Sequence, residues 1–316
     1  MSNAIIKQTG AGAVVADNIW ELRLGAGPFL LGLVAGAAGA MLAARMSGRT
    51  VRAKPPTPTG WPVNFAHRGG RKVVPENTVE GFREAMRCGE IVVELDVQLS
   101  ADGAVVVIHD DRVDRTTDGT GLVAAKTLAE LQALDAGYRF TPDDGATFPW
   151  RGRGVRIPTL EEIYREFPDR PVNIELKGQR PGVEQAAWRV IEAAGAQDRT
   201  LVVASSGALI KRFRQVSGNA VATASSRGEL VAFRALSMVR LGRVYDTPFQ
   251  AVQPPDTYKG LPITTQGLVR AAHDSGLRID VWTVDEVPDM RRLLRWGVDG
   301  IMTDRPDVLA RVLGES

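Results

Sequence analysis

Residues 61–316 are predicted to fold as an α/β protein, a (β/α)8 TIM barrel, on three observations. Short apolar, β-branched runs alternate with longer stretches of helical period, as parallel strands joined by helical crossovers require. Eight runs and eight helical stretches fill a length typical of such a barrel. No GxGxxG turn, which would favour an open doubly wound sheet, follows the first run.

The strand runs are VNFAH (63–67), IVVELD (91–96), VNIEL (172–176), LVVAS (201–205), AVATA (220–224), QAVQ (250–253), IDVWTV (279–284) and DGIMT (299–303). Helical patterns lie at 77–88, 159–167, 182–194, 207–216, 227–238, 265–275, 286–296 and 305–313. One interval breaks the rhythm: the stretch from the second run to Pro158 is too long for a simple βα loop. It begins ELDVQLS, passes an Asp102-Gly103 turn signal and continues AVVVIHD, which is a hairpin pattern. Folding the chain about that turn sets Asp96 opposite His109, while strand period puts Glu94 and Asp96 on one face. Residues about 97–158 are therefore expected to form a small insertion over the barrel mouth.

The N-terminal part reads differently. Residues 1–23 form a polar tail, and 45–60 are a Pro-rich linker that stays extended. Between them, Leu24 to Ala44 carries no charge and is long enough for a transmembrane helix, with Gly32 and Gly36 as a GxxxG pair. A cleaved signal peptide and a buried helix are the competing readings. Arg45, Arg49, Arg52 and Lys54 follow the span, so a single-pass membrane protein with a cytoplasmic catalytic domain is expected, with a homodimer through the anchor. Charge is balanced, 39 Lys and Arg against 37 Asp and Glu, which gives no field for nucleic acid. The single cysteine, Cys88, excludes an internal disulfide.

Side chains at the C-terminal ends of barrel strands point into the mouth. His67 and Arg68 end the first strand, Glu94 and Asp96 the second, Glu175 and Lys177 the third, and His109 returns through the hairpin. Three strand-end carboxylates repel one another unless a hard divalent cation such as Mg²⁺ or Ca²⁺ joins them. Arg68 and Lys177 suit a phosphate, and two histidines suit proton transfer. Taken singly, each element has an ordinary structural explanation, and His273 is expected to be structural. The set together points to phosphodiester cleavage.

The stretch FAHRGGRKVVPENTVEGFREAMRCG, followed by EIVVELDVQLSADGAVVVIHDDRVDRTTDGTG, closely resembles the glycerophosphodiester phosphodiesterase family. So do IPTLEEI, VNIELKG and VWTVDEVPDMRRLLRWGVDGIMTDRPD, and the likeness runs from about residue 63 to 308. It implies a barrel of the phosphatidylinositol-phospholipase-C-like superfamily that hydrolyses glycerophosphodiesters to sn-glycerol 3-phosphate and an alcohol. It further implies one divalent cation held by Glu94, Asp96 and Glu175, an acid/base pair in His67 and His109, phosphate contacts from Arg68 and Lys177, and a pocket wall at Trp282. Asp285 stands where relatives commonly have Asn, and a local loop effect is expected there; Asn77 is expected to support the site. A membrane-tethered lysophospholipase D and a non-catalytic glycerophosphodiester-binding protein are the alternatives. Which histidine is the acid, and whether water or the glycerol 2-hydroxyl attacks, stay open.

Overall fold

The computed structural model describes residues 55, 62–89, 91–178, 180–239, 242 and 246–315. From the N-terminal side the chain runs β1 (Val63–His67), α1 (Val79–Met86), β2 (Ile91–Leu99) and β3 (Val105–Val107). The insertion carries α2 (Leu128–Gln132); α3 (Leu160–Glu166), β4 (Val172–Leu176), α4 (Val183–Ala193), β5 (Thr200–Val203) and α5 (Gly207–Val216) follow. Then come β6 (Ala222–Thr223), α6 (Arg227–Met238), β7 (Ala251–Val252), a hairpin of β8 (Thr257–Tyr258) and β9 (Leu261–Pro262), and α7 (Gln266–Asp274). The chain closes with β10 (Arg278–Val281), α8 (Val287–Trp296), β11 (Gly300–Thr303) and α9 (Pro306–Gly314).

The barrel strands lie in the order β6-β5-β4-β2-β1-β11-β10-β7. Their pairings are parallel, and an isolated parallel bridge between Ala224 and Ala251 joins the two edges. Every expected strand run contributes a barrel strand, and every expected helical stretch contains a helix. The reason is that parallel strands covered on both faces read as continuous apolar runs. All nine residues of β2 are buried. Helix starts are equally local: Thr159 accepts from the amide of Glu162, whose carboxylate accepts from the amide of Thr159 at 2.8 Å. Ser226 and Glu229 repeat this reciprocal cap on α6.

The hairpin register differs from expectation by one residue. Val97 pairs with Val107 and Leu99 with Val105, and the amide of Ile108 donates to the Asp96 carbonyl at 3.0 Å. The turn is not the tight Asp102-Gly103 pair. It spans Ser100 to Ala104, closed by the Ser100 amide on the Ala104 carbonyl (3.0 Å) and by the Ala104 amide on Ser100 Oγ (2.9 Å). Ile108, not His109, therefore lies opposite Asp96, and His109 falls beyond the ladder. Gln98 replaces the ladder there, donating from Nε2 to the carbonyls of His109 (3.0 Å) and Asp110 (2.6 Å). The insertion packs a core of its own from Val106, Ile108, Val113, Val123, Leu131 and Ile157, among others.

Among the described residues, no helix is long and apolar enough to cross a membrane. The longest, α6, has 12 residues. At ~1.5 Å per residue that is far short of the ~30 Å hydrocarbon core. This overturns the expectation of a single-pass membrane protein with a cytoplasmic catalytic domain, and leaves membrane attachment and an anchor-mediated dimer without support. Residues 24–44, on which that expectation rested, lie outside the described residues.

Phe82 on α1 is fully buried, with its ring 6.1 Å from that of Phe167 in an edge-to-face arrangement. Replacing Phe82 with Ala is expected to cost about 3–5 kcal/mol, read as a lower urea midpoint with an unchanged slope.

Candidate active site

The mouth is organised by the turn after β1. Arg68, Gly69 and Gly70 all take positive φ, at 53°, 88° and 92°. Such a run is unfavourable for residues with a side chain. It folds the chain back so that the Arg68 amide donates to Glu94 Oε2 at 2.8 Å. A Cβ on Gly70 would meet the Pro306 ring at 2.8 Å, so the second glycine is also required by close approach. The Arg68 side chain then lies over the end of β2, with Nε 3.2 Å from Asp96 Oδ2 and Nη1 3.2 Å from Glu76 Oε1.

Strand register places the acidic residues. His67 is paired with Glu94 across β1 and β2, and Asp96 with Glu175 across β2 and β4. Lys177 reaches back between the last two, its Nζ 2.9 Å from Asp96 Oδ1 and 2.7 Å from Glu175 Oε2. Asn77, itself at φ 57°, donates to Asp96 Oδ2 at 3.0 Å, and Ser205 donates to Glu175 Oε1 at 3.1 Å. Burial pushes the Asp96 carboxyl up, but Lys177 and Arg68 outweigh it and hold it well below the carboxylate range. Glu94 goes the other way. Burial drives it well above its ordinary value, against the opposing pull of His67. Burial also works against a charged Lys177, and the carboxylates of Asp96 and Glu175 more than compensate.

Each candidate imidazole has its own carboxylate. His67 Nδ1 lies 2.6 Å from Asp304 Oδ1, and Arg71 Nε donates to Asp304 Oδ2 at 2.7 Å. His109 Nδ1 lies 2.6 Å from Asp110 Oδ1. Burial opposes ionisation of Asp304, but its hydrogen bond to His67 and the charges of His67 and Arg71 lower it overall. Burial likewise pushes Asp110 up, and hydrogen bonds from Arg115 and His109 bring it down to about 2. An ionised carboxylate only accepts, so Nδ1 of each ring carries a proton and Nε2 is left for proton transfer. For His67, burial disfavours the imidazolium, yet Glu94 and the Asp304 hydrogen bond raise its pKa.

Asp304, Asp110, Glu76 and Arg115 were not singled out from the sequence. Asp304 was accessible in principle: β11 pairs with β1, Thr303 lies opposite Ala66, and the next residue on each strand is Asp304 and His67. Asp285 does more than shape a loop. Its Oδ1 accepts from the Asp304 amide (2.8 Å) and from Thr303 Oγ1 (3.0 Å), and its Oδ2 lies 2.8 Å from Lys72 Nζ. Trp282 is 42% exposed at the end of β10, with its indole N–H on the Gln253 carbonyl at 2.7 Å. His273 pairs with Asp299 away from this cluster, as a structural histidine would.

The expected ligand trio is not assembled around a common point. Among the described residues no three His, Cys, Asp or Glu side chains are gathered as a ready cation site. The Lys177 ammonium lies between Asp96 and Glu175. The donor chemistry nevertheless fits a hard divalent cation. Glu94, Asp96 and Glu175 are oxygen donors on the neighbouring strands β2 and β4, and Glu94 is a buried carboxyl.

A parallel barrel with two carboxylate-tied imidazoles and an Arg–Lys pair above acidic strand ends belongs with the barrel hydrolases of phosphate esters. Residues 67–308 match the glycerophosphoryl diester phosphodiesterase family, and the chain belongs to it. It is 34% identical over 261 residues to a glycerophosphodiester phosphodiesterase of Caldanaerobacter subterraneus, covering 79% of this chain and 96% of that one. A probable glycerophosphodiester phosphodiesterase of Mycobacterium tuberculosis is 33% identical, over 80% of this chain and 91% of its own length. Among solved structures, a glycerophosphoryl diester phosphodiesterase domain from M. tuberculosis superposes with a TM-score of 0.68 at 25% identity, covering 81% of this chain and all of that domain. An Oleispira antarctica phosphodiesterase, solved with its product sn-glycerol-3-phosphate, gives 0.64 at 25% identity, covering 80% of this chain and 97% of that one. The chain is therefore a phosphoric diester hydrolase, and the non-catalytic alternative is set aside.

Replacing Asp304 with Asn leaves the shape but removes the ionised acceptor; it is expected to lower kcat about 10–100-fold while sparing the fold. Because the folded pKa of Asp304 is lowered, the unfolded state binds more protons between the two values, so this group's contribution is present above the unfolded pKa and lost as pH falls through the folded one. The acid limb of stability below about pH 4 should be shallower for Asp304→Asn than for the parent, by urea titration at each pH.

Proposed function

We propose that the chain hydrolyses glycerophosphodiesters to sn-glycerol 3-phosphate and an alcohol, with His67 and His109 as the proton-transfer pair. The observation that carries this reading is the matched pair of 2.6 Å contacts, His67 to Asp304 and His109 to Asp110, on a barrel whose neighbouring strands carry the carboxylates of Glu94, Asp96 and Glu175. The product seen with the Oleispira antarctica relative supports the choice of substrate.

In this reading the neutral imidazole takes at Nε2 the proton of the attacking water or glycerol 2-hydroxyl as its oxygen bonds to phosphorus, and the protonated partner gives one to the alkoxide as its bond to phosphorus breaks. Where the 2-hydroxyl attacks, water then opens the cyclic ester with the two roles reversed. Arg68 and Lys177 hold the phosphoryl oxygens. The Arg68 guanidinium is oriented by Glu76 and Asp96, so its donors are arranged before substrate arrives. Lys177 leaves its carboxylates or shares them on binding. Glu94, Asp96 and Glu175 would hold one divalent cation, Mg²⁺ or Ca²⁺, which supplies Lewis-acid polarisation of a phosphoryl oxygen when bound. Trp282 offers an apolar wall to the substrate at the rim.

The test is release of sn-glycerol 3-phosphate from glycerophosphocholine. His67→Ala and His109→Ala should each reduce kcat by about 10²–10⁴-fold. Near-normal turnover in both variants would refute the assignment. In a separate measurement, dialysis against a chelator should abolish turnover and adding back Mg²⁺ or Ca²⁺ should restore it. Full activity after exhaustive chelation would remove the cation from the scheme.

A further inference from the structure

His109 lies outside the β2–β3 ladder, in a segment of the insertion, and needs something to fix it against the barrel. The Gln98 side-chain amide holds the backbone of the dipeptide, but it does not orient the ring. The ring is oriented by Asp110, which is about one-third exposed and would otherwise be free to change rotamer. A single side chain reaches Asp110 from further along the insertion. Arg115 donates from Nε to Asp110 Oδ2 at 2.6 Å and from Nη2 to Oδ1 at 3.2 Å. The same guanidinium donates from Nη1 to Glu76 Oε2 at 2.6 Å and from Nη2 to Glu76 Oε1 at 2.8 Å. Glu76 belongs to the barrel, in the segment between β1 and α1, and its side chain is 8% exposed.

We propose that Arg115 is a positioning residue: clamped on Glu76, it holds Asp110 so that the His109 ring keeps one orientation relative to the strand ends of the barrel. The planar fork of arginine meets two carboxylates at once, which a lysine ammonium cannot reproduce. The loop that presents Arg115 is itself tied down. Thr117 Oγ1 donates to the Val113 carbonyl at 2.8 Å, Asp114 Oδ2 accepts from the Gly121 amide at 2.9 Å, and Arg112 bridges to Leu122. The insertion is thus coupled to catalysis through one guanidinium, a role that rests on His109 being a proton-transfer group.

The experiment compares Arg115→Ala and Arg115→Lys in the parent and in a His109→Ala background, with kcat, KM and the thermal midpoint measured for each. Both substitutions should lower kcat about 10–100-fold in the parent. In the His109→Ala background each should cost about twofold or less, because the ring they position is gone. A merely structural role would lower activity by the same factor in both backgrounds. That result, or a normal kcat for both Arg115 variants, overturns the clamp. If His109→Ala alone turns over normally, the reading of His109 falls and the clamp falls with it. If His109→Ala is impaired and the Arg115 variants are not, only the clamp falls. Arg115→Lys retains the positive charge and the aliphatic stem, so it keeps the comparison valid if Arg115→Ala proves unstable.

Discussion

Asp96 is a charged carboxylate that is only 1% exposed, and the mouth of this barrel is arranged around keeping it ionised. A buried charge without partners costs several kcal/mol, so partners must be supplied from elsewhere in the chain. Three arrive from three different elements: Lys177 beyond β4, Arg68 beyond β1 and Asn77 ahead of α1. Two of these, Arg68 and Asn77, sit at positive φ. The strained backbone after β1 is therefore explained by what it delivers to Asp96, together with the Arg68 amide it delivers to Glu94. Gly69 and Gly70 complete the turn, and Pro306 at the start of α9 seals it.

The two imidazoles are held in different ways. His67 stands on the barrel proper, and its carboxylate partner comes from the last strand, where Asp285 caps the Asp304 amide and Lys72 pairs with Asp285. Its surroundings are nearly closed, since the side chains of His67 and Asp304 are 12% and 1% exposed. His109 stands on the insertion; Gln98 of β2 holds its backbone, and its ring is tied to the barrel through Asp110, Arg115 and Glu76. One group is thus fixed by barrel closure and the other by the docking of the insertion, so the pair is complete only when both parts are folded.

Much of the architecture was legible because its causes are local. Buried parallel strands impose apolar runs, caps such as Thr159–Glu162 mark helix starts, and the residues ending each strand follow from the run itself. For the same reason the sequence assigns His67, Arg68, Glu175 and Lys177 to strand ends; Glu94 and Asp96 are expected there too, but β2 continues to Leu99 and carries both within the strand. The hairpin register was misread because it depends on the shape of the Ser100–Ala104 turn, in which a serine hydroxyl substitutes for a backbone partner. The membrane span is expected from the length of one uncharged run and the charges that follow it, at residues 24–44 outside the described ones, and no described helix is of that kind.

By itself the sequence determined the alternation of elements, the family likeness and the residues available at each strand end, since period and turn chemistry act over a few residues. Tertiary structure alone decided which of them pair. Asp304 meets His67 across 237 positions of sequence, and that contact exists only because β11 closes against β1. Lys177 settles between Asp96 and Glu175 because strand register sets the two carboxylates side by side, which no local pattern encodes. Arg115 joins Asp110 to Glu76 because the segment beyond β3 is brought back against the segment between β1 and α1. Charge partners of this kind are chosen by three-dimensional proximity, and proximity is a property of the closed barrel.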